Sequence, residues 1–77
     1  MTTQATQHLD ARGLNCPLPI LRTKKALTAL GSGDTLAITS TDPGSVKDIQ
    51  AFCKQTGHEL LATHSNQGEF EFVIRKN

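Results

Sequence analysis

Tryptophan and tyrosine are absent from this 77-residue chain, and three phenylalanines make up its whole aromatic complement. Nucleic-acid domains rely on stacking platforms and a basic stripe. With so few aromatics and a formal net charge of +1, direct nucleic-acid binding is disfavoured. No apolar run reaches the length of a membrane span, and no secretory leader pattern is present. Cysteine is also scarce. A secreted domain of this size usually carries several disulfides, whereas Cys16 and Cys53 stand alone and far apart, so reduced thiols in the cytoplasm are expected. Neither Cys-x-x-Cys nor His-x-x-x-His occurs, and His8, His58 and His64 are scattered, which argues against a metal site. Gly-rich phosphate loops and nucleotide fingerprints are missing as well. No cofactor is expected.

What remains reads as one small domain. Residues 1–7 are polar and uncharged and are expected to fray, leaving a single domain over 8–77. Leu9 and Ala11 alternate in a first short strand over His8–Arg12. Ile20, Thr23, Leu27 and Leu30 recur at helical spacing, predicting a helix from Pro17 to Leu30 that Gly31-Ser32-Gly33 ends. Thr35–Ser40 reads as a second strand. Asp42-Pro43 is a helix start, a capping carboxylate followed by proline, and Val46, Ile49, Phe52 and Cys53 give that helix its apolar face up to Gly57. Glu59–His64 and the alternating Phe70, Phe72 and Ile74 form two strands joined at Asn66-Gln67-Gly68 as a hairpin. The order is βαβαββ. Helices between strands imply crossovers and the last pair is antiparallel, so the expected fold class is α/β: a two-layer sandwich with both helices on one face of a mixed four-stranded sheet.

Cys16 carries the chemistry. It lies in Asn15-Cys16-Pro17-Leu18-Pro19, where the first strand hands over to the first helix through a turn at Gly13. The positive end of a helix dipole and unpaired first-turn N–H groups favour thiolate over thiol, so Cys16 is expected to be a nucleophile, with the Leu18 N–H as the main donor facing it. Pro17 and Pro19 tolerate the first turn and are expected to form a stiff, exposed entrance. Cys53 falls on the apolar face of the second helix and reads as core. Asp10 is expected to bond to N–H groups of the turn, and Asp42 to cap the second helix. Arg22, Lys24 and Lys25 are either an ordinary solvated helix face or a docking surface for an acidic partner whose field also favours the thiolate.

The run Leu9-Asp10-Ala11-Arg12-Gly13-Leu14-Asn15-Cys16-Pro17-Leu18-Pro19 resembles the signature of the TusA family of sulfur carriers, the SirA-like group built around Cys-Pro-x-Pro. Asp42-Pro43, Asp48-Ile49, Phe52-Cys53, His58-Glu59-Leu60 and Ile74-Arg75-Lys76 extend the likeness along nearly the whole chain and place it nearest the TusA branch. The resemblance implies the same βαβαββ sandwich, a cytoplasmic location, and a Cys16 that carries sulfur as a persulfide. It implies a cysteine desulfurase or rhodanese-like donor and an acceptor of the DsrE/TusD type, in tRNA 2-thiouridine synthesis or dissimilatory sulfur oxidation. Leu18 departs from the glutamate that some tRNA-pathway members carry at this place. The protein is expected to be a monomer between partners. The rival readings are a non-catalytic module that binds protein or RNA through the basic helix, and a thiol switch that pairs Cys16 with Cys53.

Overall fold

The computed structural model describes residues 5–77. Six elements follow in the order β1 (Gln7–Ala11), α1 (Leu18–Thr28), β2 (Thr35–Ser40), α2 (Ser45–Thr56), β3 (Glu59–Asn66) and β4 (Glu69–Arg75). The sheet runs β1-β2-β4-β3. β1 lies parallel to β2, and β4 is antiparallel to both β2 and β3. Both helices pack on one face. This is the mixed four-stranded, two-layer α/β architecture that the hydrophobic periodicity predicts.

One face of each strand builds the core because side chains alternate across a sheet. Ala11, Leu36, Ile38, Phe72 and Ile74 are each at most 1% exposed and meet Leu27 from α1 and Ile49, Phe52 and Cys53 from α2. Thr23, placed on the apolar face of α1 by its spacing, is fully buried; its hydroxyl donates to the Pro19 carbonyl at 2.8 Å. That bond satisfies the one polar atom it brings into the interior.

Several boundaries differ from the sequence expectation, each for a local reason. β1 starts at Gln7, and Thr6 and Thr35 exchange hydrogen bonds of 3.0 and 3.1 Å. The expected fraying therefore does not extend to Thr6 and Gln7, and residues 1–4 lie outside the described range. α1 stops at Thr28, but Ala29 and Leu30 continue in a tighter turn, bonding to the Ala26 and Leu27 carbonyls and keeping Leu30 buried. α2 begins at Ser45 because Pro43 and Gly44 form a turn closed by the Ser45 N–H on the Asp42 carbonyl at 3.0 Å. β3 runs to Asn66 and contains a bulge between Leu60 and Ala62. That irregularity turns Leu61 outward, 45% exposed, on the edge of the sheet. The hairpin closes through Gln67 and Gly68, both at positive φ, the handedness that suits a two-residue connection. Among the described residues, no helix is long and apolar enough to cross a membrane.

Candidate functional site

The parallel pairing of β1 with β2 places the end of β1 beside the start of the β2–α2 connection, and this juxtaposition builds the site. Ala11 is in register with Ser40, so the two chain segments leaving the sheet run side by side. Gly13, at φ +78°, turns the chain in a conformation that other residues rarely adopt. Its N–H donates to Thr41 Oγ1 at 2.9 Å. Asp10 accepts from the Arg12 N–H at 3.1 Å and from its guanidinium at 2.9 Å, as expected of a carboxylate that shapes the turn. Those contacts hold the Asp10 carboxyl below its ordinary range, the Arg12 side-chain bond being the main cause.

Cys16 emerges from this turn exposed, at the N-terminal end of α1. Two carboxylates hold it. Asp42 Oδ2 accepts the Cys16 N–H at 2.9 Å while Oδ1 accepts the Gly44 N–H at 3.2 Å, and Asp48 Oδ2 accepts the thiol at 3.1 Å. Asp42 thus does more than start α2: it fastens the cysteine loop to that helix. The structure corrects the electrostatic expectation at the sulfur. The Asp48 hydrogen bond, followed by partial burial and the charges of Asp48 and Asp42, pushes the Cys16 thiol up rather than down. A neighbouring negative charge disfavours the anion, and here two carboxylates supply it. The Leu18 N–H does not serve the sulfur either, since it donates to the Asn15 carbonyl at 2.8 Å.

The two prolines take different roles. Pro17 caps α1, is exposed and lies beside Cys16 at the groove described below. Pro19, by contrast, is buried. It anchors the first turn in the core and does not belong to an exposed entrance. Leu18 and Leu21 are the outward residues here, 44% and 50% exposed.

An open groove of about 230 Å³ runs from Cys16 and Pro17 between the helices, walled by Ile20, Lys24, Asp48 and Phe52. Lys24 therefore shares the cysteine's groove. Arg22 and Lys25 line a separate depression with Leu9 and Ala26, so the expected basic patch is divided over two flanks of α1. The helical layer is nonetheless cationic as a whole: Arg22, Lys24, Lys25, Lys47 and Lys54 lie on α1 and α2 with Asp48 as the only helical acid. Cys53 is 6% exposed within the core, and burial pushes its thiol up. Asp48 is the site residue that its sequence position does not reveal, because nothing in a helical pattern shows which loop an exposed acid will face.

The family profile described as sulfurtransferase TusA matches residues 7–76. This chain belongs to the TusA family. The sulfur carrier protein TusA of Allochromatium vinosum is 59% identical over 71 residues, covering 92% of this chain and 93% of that one. In three dimensions, the crystal structure of a SirA-like protein from Desulfitobacterium hafniense superposes with a TM-score of 0.81 at 28% identity, over 91% of this chain and 96% of the other. Cys16 and its supporting turn lie within the matched residues.

Proposed function

We propose that this protein is a sulfur carrier that receives sulfur on Cys16 as a persulfide and delivers it to a cysteine of an acceptor protein. The observation that carries this reading is the accessible Cys16 at a loop–helix junction, in a chain of the TusA family. Transfer requires a thiol that two different protein cysteines can approach in line, one after the other. A deep pocket would obstruct both.

In loading, Sγ of Cys16 forms a bond to the outer sulfur of a donor persulfide. The donor's S–S bond breaks, its electron pair leaves on the donor sulfur, and the proton of Cys16 ends there. Unloading repeats the exchange with an acceptor thiolate. Sulfur changes hands without net oxidation and without a cofactor, so the protein works as a stoichiometric relay rather than a free-standing enzyme. A cysteine desulfurase or rhodanese-like protein is the donor class, a DsrE/TusD-type protein the acceptor, and the cytoplasm the setting. Lys24, on the wall of the cysteine's groove, and Arg22 and Lys25 on the other flank of α1 serve to dock acidic partner surfaces.

Intact-protein mass spectrometry after incubation with a cysteine desulfurase and cysteine, or a thiosulfate-fed rhodanese, tests the reading. One reductant-labile sulfur should be gained by wild type and by Cys53→Ser and not by Cys16→Ser. Sulfur retained by Cys16→Ser but lost from Cys53→Ser would refute it.

A further inference from the structure

Resting on the persulfide reading of Cys16, we propose that Asp48 is a second catalytic residue. Its carboxylate takes the hydrogen bond of the reacting sulfur and keeps the proton there, so that the loaded carrier offers its outer sulfur as an electrophile.

The geometry is direct. Asp48 Oδ2 lies 3.1 Å from Cys16 Sγ, reached from the first turn of α2 across the groove that both residues line. The charged groups facing the cysteine are Asp48 on α2, Asp42 in the β2–α2 turn and Lys24 on α1. Both carboxylates bond to Cys16 itself, one at the sulfur and one at the N–H, while Lys24 only shares the groove wall. Sites built for a nucleophilic thiol surround it with positive charge. This one does the reverse.

That reversal suits the second half of a relay. A carrier sulfur attacks once, when it is loaded, and must then be attacked. A persulfide is a stronger acid than the thiol it came from. Ionised, its outer sulfur would repel an incoming thiolate and act as a nucleophile itself. The outer sulfur sits one S–S bond, about 2 Å, beyond Sγ, within the field of the same carboxylate. With the proton retained, the acceptor thiolate forms its bond to the outer sulfur and the Cys16 S–S bond breaks. The hydrogen stays on the transferred sulfur and the electron pair returns to Sγ. The sulfur then regains a proton from water and closes again on Asp48.

The test compares wild type, Asp48→Asn and Asp48→Glu, each carrying Cys53→Ala so that one thiol remains. In the empty protein, alkylation of Cys16 by iodoacetamide is followed against pH. Asp48→Asn should titrate at lower pH and react several-fold faster at pH 7, with Asp48→Glu moving back toward wild type. In the loaded protein, sulfur delivery to a small thiol such as N-acetylcysteine should be slower in Asp48→Asn, while alkylation of the persulfide becomes faster. Coincident alkylation profiles and equal delivery rates in wild type and Asp48→Asn would overturn the assignment. So would an Asp48→Glu protein as perturbed as Asp48→Asn, since that would place the effect in packing rather than charge. If wild type itself gains no sulfur, the persulfide reading fails on its own, and the empty-protein profiles still decide whether Asp48 holds the proton.

Discussion

Replacing Asp42 by alanine removes the side chain that ties the backbone of the cysteine loop to the start of α2, leaving Asp48 as the contact to the thiol. The Asp42 carboxylate accepts the Cys16 N–H at 2.9 Å and the Gly44 N–H at 3.2 Å, and both donors are left to water in the variant. Hydrogen bonds to a charged acceptor contribute about 1.5–3 kcal/mol each when well buried. Asp42 is only half-buried, so solvent competes, and the helix-cap scale of about 1–2 kcal/mol for the pair is the better guide. A domain of this length has roughly 4–12 kcal/mol in all, which makes the loss plain to see. With a slope near 1 kcal/mol per molar urea, the low end for small domains, the unfolding midpoint should fall by about 1–2 M. Sulfur loading at a temperature where the variant is folded should slow as well, because Cys16 no longer has a fixed backbone. Asp42→Asn keeps one acceptor oxygen and should fall between the two. An Asp42→Ala midpoint within about 0.2 M of wild type would refute the reasoning, because the tether would then add nothing beyond what water supplies.

Two further outcomes are expected. Phe72 is fully buried in β4, and Phe72→Ala should cost about 3–5 kcal/mol, enough to leave a large unfolded fraction by circular dichroism at 37 °C; a loss under about 1 kcal/mol would contradict its central place in the core. Burial raises the Cys53 thiol, so its contribution to stability is full below the unfolded thiol's value of about 8.5 and is lost as pH rises toward the folded value. Urea midpoints between pH 7 and 10 should decline less steeply in Cys53→Ala than in wild type, where identical slopes would count against the burial argument.

Much of the architecture was legible in the residues. Phe70, Phe72 and Ile74 alternate with charged neighbours, Ile20, Thr23 and Leu27 keep helical spacing, and Gly57 closes α2 in a left-handed conformation. These are local signals, and they place all six elements. The bulge at Leu61 was not legible, since Glu59-Leu60-Leu61-Ala62 reads equally well in either register until β4 fixes one. The site divides in the same way. Cys16, Gly13 and Pro17 stand out because a thiol, a turn glycine and a cap proline are adjacent in the chain. The sign of the field at the sulfur is set by Asp48, which is 32 residues away. Local reasoning gives weight to the helix dipole, but only the fold shows the carboxylate that faces the thiol.

The distance along the chain between Cys16 and its two carboxylates has a consequence for the life of the protein in the cell. Asp42 and Asp48 are 26 and 32 positions downstream, so neither restrains the cysteine until β2 has paired with β1 and α2 has docked. A nascent or heat-damaged chain carries the same thiol with no carboxylate against it. Its thiol then ionises as an unperturbed cysteine does, without the carboxylates that push it up in the folded protein. Whatever meets that thiol before the fold is complete meets it without Asp42 and Asp48.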